Sequence, residues 1–287
     1  MIARLIERLL GPPHGRRLAT LVDGALKPPP GVGRITLALL YGFATHTLFT
    51  AAVLAMVIGM FFGMSLSLGA APWPWAYLAN AALLLQFPLV HSLLLTRRGG
   101  ALLGWLAPRG EGARLATTTY ALVASVQLLL LFALWTPSGV VWFAPTGGWL
   151  YAHTALYAAT WVLLLKATFD AGLEVQSGAL GWISLLKRVD PVFPDMPETG
   201  LFRVIRHPIY VAFALTLWTA PTWTPDQLAV AIALTAYCLA APMLKERRLE
   251  ARFGARFTAY KARTPYAAPR FRLWRTDDRR RAADDPG

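Results

Sequence analysis

Apolar residues gather in long runs broken by short polar stretches, with no two-residue alternation. Residues 35–62, 75–96, 116–135 and 149–169 are each predominantly apolar over about the 20 residues that a helix needs to cross a bilayer. Residues 170–207 are too charged to cross, and two apolar pieces follow. The first, 208–221, has 14 residues; at the α-helical rise it covers about 21 Å, short of a hydrocarbon core of roughly 30 Å. The second, 226–244, has 19 residues and nearly spans. Between them Thr224 suits an N-cap, Pro225 the first helical position and Gln227 the capping-box partner, so the pair predicts a helical hairpin with a tight turn at 221–225. At the start of the chain Ile2, Leu5, Ile6, Leu9 and Leu10 share one helical face and Arg4, Glu7 and Arg8 lie off it, before Gly11-Pro12-Pro13. That pattern predicts an interfacial helix rather than a cleaved signal.

The basic residues orient these segments. Residues 1–34 carry six Lys or Arg, 97–115 four, 166–207 five and the tail from Lys245 thirteen, whereas 63–74, 136–148 and 221–226 carry none. All of them fall on alternate, mutually consistent sides. The positive-inside rule therefore predicts both termini and the 170–207 stretch on the cytoplasmic side of the inner or plasma membrane. The expected fold is all-α: a polytopic integral membrane protein with four full transmembrane helices, a C-terminal short-helix/long-helix hairpin and an amphipathic cytoplasmic tail. The expected divisions are 1–34 interfacial, 35–169 transmembrane, 170–265 functional core and 266–287 basic tail.

Composition agrees. Of 287 residues 56% are hydrophobic and 15% charged, and the mean hydropathy is +0.45. A disordered chain is excluded by this apolarity, and a disulfide-stapled domain by the single Cys238. The net charge of +13 is accounted for by topology and contact with anionic lipid, so the membrane is the expected partner and nucleic acid is not. Arg279-Arg280-Arg281 reads as a solvated tail. The sequence leaves the oligomeric state open.

Candidate chemistry sits at the cytoplasmic boundary. Arg206-His207-Pro208-Ile209-Tyr210 stands where the short helix begins, and free N–H groups at a helix start can seat a carboxylate. Glu246-Arg247-Arg248 stands where the last helix emerges, and a hairpin returns it to the same face. Asp170 and Glu174 lie one helical turn apart at the end of the fourth span. Each has a plainer reading: boundary cations as topology anchors, Glu246 paired with Arg247 or Arg248, and Asp170 and Glu174 as a solvated helix end. His46, His91 and His153 lie within spans, where helix–helix hydrogen bonding is the plain reading and function the alternative; His91 with Gln86 is the most interesting. The five histidines give no pair at metal-ligand spacing on one helix, and Gly99–Gly104 follows no strand, against a phosphate loop.

The joint pattern goes further. Gly200-Leu201-Phe202 precedes Arg206-His207-Pro208-Ile209-Tyr210, and Glu246-Arg247, Leu249, Phe253-Gly254, Phe257, Tyr260, Arg263 and Pro265 follow the hairpin. Over Gly200 to Pro265 this resembles the membrane methyltransferases of the isoprenylcysteine carboxyl methyltransferase and phospholipid methyltransferase type. The hairpin residues Phe213, Trp218, Pro221, Thr224 and Leu228, with Gln86 and His91-Ser92 in the second span, look most like bacterial methanethiol S-methyltransferases. The chain departs from the family pattern at Lys245, where the first of two glutamates is expected, at Phe257, and in the segment from Asp170 to Trp182.

The resemblance implies S-adenosylmethionine bound at the cytoplasmic face. It would be held by Arg206, His207, Pro208, Tyr210, Glu246, Arg247, Phe253 and Tyr260. Arg206 and the helix start suit its carboxylate, Glu246 its ribose or ammonium, and the aromatic rings its adenine or sulfonium. His207 and Glu174 are the candidate bases, and His91, Phe213, Trp218 and Asp170 the candidate acceptor lining. The expected acceptor is a small thiol or another lipid-soluble molecule reached from the bilayer. The alternatives are a lipid or isoprenylcysteine carboxyl methyltransferase, or a non-enzymatic membrane assembly or transport protein of the same fold.

Overall fold

The computed structural model describes residues 14–269. The expected interfacial helix at 1–10 and the Arg279-Arg280-Arg281 run lie outside the described residues. Within them the chain forms α1 (His14–Val22), α2 (Val32–Phe61), α3 (Trp75–Leu94), α4 (Arg97–Leu106), α5 (Gly112–Ala133), α6 (Gly147–Gln176), α7 (Ala179–Lys187), α8 (Pro208–Trp218), α9 (Pro225–Phe253) and α10 (Ala255–Arg263). Helices α2, α3, α5, α6 and α9 are long and apolar enough to cross a membrane, and α8 is the short apolar member. The protein is a polytopic helical membrane protein, as the apolar runs predict. Many large apolar side chains on these helices, Phe43, Leu89, Val162 and Leu239 among them, face outward, as a surface solvated by acyl chains requires.

The hairpin forms as expected at its turn. Thr224 caps α9, its side chain accepting the Gln227 N–H at 2.9 Å. Gln227 does not complete a capping box. Its side-chain amide donates instead to the Leu217 carbonyl at 2.8 Å, because that carbonyl, near the end of α8, is otherwise an unpaired acceptor in an apolar core. The turn is level with the far ends of the long helices. Thr222 N–H donates to Phe61 O at 3.3 Å, and Trp223 and Phe143 exchange backbone bonds of 2.8 and 3.2 Å. Asp226 accepts from Trp135 Nε1 (3.0 Å) and Ser138 N–H (2.9 Å). The short helix and its flanking residues therefore run the full depth of the bundle. An apolar core of Met60, Phe87, Leu131, Phe132, Leu217, Val230 and Leu234 lies just inside this stitched end.

Two features differ from expectation. The 170–207 stretch contains a buried apolar helix, α7, whose Leu180, Ile183, Leu185 and Leu186 are all inside. It lies against α5 so closely that a Cβ on Gly181 would stand 2.5 Å from Thr118 Oγ1. Helix α6 is also interrupted at Gly172 (φ 101°, ψ 87°). Asp170 and Glu174 thus do not share a helical face, and both are buried, at 4% and 6% exposure, rather than forming a solvated helix end. Of the intramembrane histidines, His46 does join two helices, accepting from Trp182 Nε1 at 3.0 Å. His153 joins no second helix: it bonds Trp149 O in its own turn and faces the Phe143 ring of the preceding loop, with centroids 5.6 Å apart.

Candidate functional site at the hairpin mouth

The basic end of the hairpin is built around one carboxylate. Glu246 Oε1 on α9 accepts from Arg206 Nε at 2.8 Å and lies 2.8 Å from His207 Nε2, while Lys261 Nζ on α10 stands 3.4 Å from Oε2. Arg206 and His207 reach it because the chain before α8 is held rigidly. Residues Gly200–Arg203 make a single 3-10 turn whose Leu201 N–H donates to Asp170 Oδ2 at 2.8 Å. Gly200 is needed there, since its φ is +58° and a side chain would run into the Asp170 carboxylate. Tyr260 on α10 donates its hydroxyl to Phe202 O at 2.7 Å. Arg206 then closes the unit: its Nη1 donates to Lys261 O (3.1 Å) and Thr264 O (2.6 Å), capping α10, and its N–H to Pro265 O at 2.9 Å.

His207 is 2% exposed. Burial pushes its pKa down to about 4, outweighing the opposing hydrogen bond from Glu246, so the imidazole is neutral at physiological pH. A carboxylate only accepts, so Nε2 carries the proton. Nδ1 is then a bare acceptor, buried and without a hydrogen-bond partner. The Tyr266 and Tyr210 rings stand edge-on to the imidazole, with centroids at 4.6 and 6.1 Å. Lys245 supplies the remaining charge. Its ammonium sits 5.7 Å from the Phe202 ring centroid and 5.9 Å from that of Tyr210, and among the described residues no carboxylate pairs with it.

The structure thus brings Arg206, His207, Pro208, Tyr210 and Glu246 to one place. Arg247 points outward and joins none of these contacts. Phe253 and Tyr260 pack with Met196 and Phe257 beneath α10, where Tyr260's hydroxyl is already committed to Phe202. Asp170 is occupied by Lys166 and the 3-10 turn, and Glu174 by Arg17 of α1, whose Nε lies at 3.1 Å. Phe213 packs on the apolar core that contains Phe87, and His91 stacks on Phe87 at 4.8 Å. Trp218 lies away from them at the opposite end, 5.7 Å from Trp223, bonded to Thr235. Sequence reasoning missed Lys245 as a resident cation and Tyr266 as a wall. Tyr266 adjoins the Arg263–Pro265 motif, which was its available signal.

Comparison with known proteins gives this arrangement a family. The methanethiol S-methyltransferase of Mycobacterium tuberculosis is 32% identical over 206 residues, covering 70% of this chain and 81% of that protein. This chain belongs to the methanethiol S-methyltransferase family. Another relative in that family, from Pseudomonas deceptionensis, is 29% identical over 203 residues, 70% of this chain and 76% of its own. Nurim of Xenopus laevis is 28% identical over 172 residues, 55% of this chain and 57% of that protein. No family model matches the chain, and no solved structure matches it.

Proposed function

We propose that this family member is an integral membrane methyltransferase that uses S-adenosylmethionine to methylate a small thiol or another lipid-soluble acceptor reached from the bilayer, with its basic end in the cytoplasm. The observation that carries the proposal is the Arg206–His207–Glu246 cluster at the mouth of the hairpin, with an unpaired Lys245 beside it. The names of the relatives support methyl transfer and a thiol acceptor, and the distribution of Lys and Arg supports the orientation.

The residues present fit the cofactor's polar groups. Lys245 is the free cation for a carboxylate, whereas Arg206 is already spent on Glu246 and two carbonyls. The Glu246 carboxylate and the bare Nδ1 of His207 both accept, and suit an ammonium or ribose hydroxyl. Tyr210 and Tyr266 offer aromatic faces to adenine or to a sulfonium. Bound there, the cofactor supplies an electrophilic methyl group on sulfur. Displacement at such a carbon needs alignment and dryness more than acid–base help. Helices α8 and α9 orient the donor end, and the apolar core around Phe87 and Phe213 keeps water away. Such a wall favours small apolar acceptors over charged cytosolic ones.

The test is calorimetric titration of S-adenosylmethionine into the purified protein in detergent, followed by methyl transfer to thiols, prenylated carboxylates and phospholipid amines. Binding with turnover on small thiols is expected. Binding with turnover only on lipid or prenyl carboxylate overturns the acceptor assignment. Absence of binding overturns the enzyme reading in favour of a non-enzymatic protein of this fold.

A further inference from the structure

A second imidazole on the same end of the bundle, half-buried as a residue, also has a buried nitrogen without a partner. His91 lies one turn before α3 ends at Leu94. Its ring is enclosed by Phe87 and Tyr120, each with centroids at 4.8 Å, and by Tyr237 of α9 edge-on at 6.4 Å. Nε2 is 2.5 Å from the Tyr120 hydroxyl oxygen, which is also 3.4 Å from the His91 carbonyl. Nδ1 is buried and bonded to nothing. A buried unpaired polar atom is destabilising, and no water in the bilayer relieves it.

One tautomer satisfies both contacts to Tyr120. The phenol has one proton, so both bonds form together only if Nε2–H donates to the phenol oxygen and the phenol donates to the His91 carbonyl. Nδ1 then bears a free lone pair. The titratable or charged groups facing the ring are Tyr120 from α5, Tyr237 and Arg248 from α9 and, through Tyr120 and Tyr237, Tyr210 from α8. None is a carboxylate, so no anion competes to hold a proton on His91. Ser92 Oγ, 3.5 Å from the Tyr237 hydroxyl, adds a polar contact, and Arg248 is anchored nearby on Leu95 O at 3.2 Å. Tyr210 connects the two regions, since its ring also faces His207.

We infer that His91 is the acceptor-side base, its Nδ1 taking the proton of a thiol that enters from the bilayer. The inference rests on the methyltransferase reading for its methyl donor. As a sulfur lone pair forms the new S–CH3 bond and the methyl–sulfonium bond breaks onto the departing thioether, the S–H bond leaves its electron pair on sulfur and its proton on Nδ1, while Nε2–H continues to donate to Tyr120. His91 afterwards loses its proton to solvent at the basic end. A base is needed because an alkanethiol, a weaker acid than the cysteine thiol at about 8.5, is almost wholly protonated at neutral pH, and sulfur is a good nucleophile only as its proton leaves.

Two measurements test this. In cofactor-free protein carrying 15N-labelled histidine, an alkanethiol should shift the His91 Nδ1 resonance, as an S–H donor to a bare nitrogen does, and the matching thioether should not. In turnover, His91→Ala should slow methylation of an alkanethiol by about 100-fold or more and spare an acidic aromatic thiol that is already ionised, with affinity for S-adenosylmethionine unchanged. Should His91→Ala not fold, Tyr120→Phe should show a smaller loss with the same preference for the acidic thiol. An equal loss on both thiols, or no thiol-specific shift of the Nδ1 resonance, overturns the role of His91. A thiol-specific shift without methyl transfer in the wild type overturns the methyltransferase reading alone.

Discussion

Arg206 and Lys245 are both cations at the hairpin mouth, and the structure gives them opposite jobs that one pair of substitutions separates. Arg206→Ala removes an ion pair whose two side chains are 11% and 10% exposed, together with the donors that cap Lys261 O and Thr264 O. Deleting one member of a buried, hydrogen-bonded pair costs about 3–5 kcal/mol, since the other charge stays behind. Here that charge is Glu246, which keeps His207 Nε2 and Lys261, so the loss falls at the lower end of that range; the tail helix α10 also loses its C-terminal anchor. Lys245→Met breaks no ion pair and puts an unbranched apolar chain where the ammonium stands 5.7 and 5.9 Å from the Phe202 and Tyr210 ring centroids. Because that enclosed cation has no carboxylate partner, its removal should cost under about 1 kcal/mol, the worth of the lost cation–π contacts. It removes one charge-assisted contact to a carboxylate ligand, about 1.5–3 kcal/mol, or roughly 10- to 150-fold in affinity. Thermal unfolding in detergent reads the first quantity and titration of S-adenosylmethionine reads the second. Arg206→Ala should unfold early; Lys245→Met should unfold like the wild type and bind weakly. Wild-type affinity in Lys245→Met, or a wild-type unfolding midpoint in Arg206→Ala, would refute this division of labour.

Three further outcomes follow from the geometry. The pKa of His207 is depressed to about 4, so between pH 6.5 and 4 the unfolded chain binds the extra proton. Stability conferred by the neutral ring is full above about 6.5 and falls through that window. The unfolding midpoint of His207→Gln should depend less on pH there than that of the wild type, and parallel curves would count against a neutral, buried ring. Gly172→Ala forces a side chain into the left-handed region and places a Cβ 2.5 Å from Arg17 Nη2; a loss of about 1–2 kcal/mol from the backbone alone should appear in thermal unfolding, with protease access between α1 and α6. Glu174→Gln and Arg17→Met should not add in a double-mutant cycle, because each breaks the same tie, and turnover should survive both; loss of turnover in Glu174→Gln with S-adenosylmethionine affinity intact would return Glu174 to the reaction.

The spans were legible because solvation by lipid demands unbroken apolar runs, and 35–62 and 116–135 advertise that directly. The Glu246 cluster was legible only through joint spacing. Neither Arg206-His207 nor Glu246 alone distinguishes a site from a membrane boundary, and 39 residues separate His207 from Glu246 in the chain. Helix α7 was hidden because its nine residues sit in a stretch whose charges dominate any window wide enough to detect a span. Asp170 and Glu174 were misread as a continuous turn because Gly172 only disfavours a helix, and the contacts that exploit its freedom, Arg17 and Pro194, come from distant segments. Arg206's carbonyl partners left no trace in sequence, since any residue supplies a carbonyl.

The stitched far end has a consequence for biosynthesis. Among the described residues Trp135 Nε1 and the Ser138 N–H find their acceptor in Asp226, and the Phe143 backbone finds its partner in Trp223. These groups belong to the loop between α5 and α6, made some ninety residues earlier, as the 91-residue separation of Trp135 and Asp226 records. Until the ribosome has delivered the hairpin, the first four spans wait in the membrane with their far-end loops unsealed. A message truncated before Pro225 would yield a chain in which Trp135 and Ser138 lack the carboxylate that ties their loop down. Such a fragment is a natural client for membrane quality control, and completion of the last hairpin is the moment at which the nascent chain passes inspection.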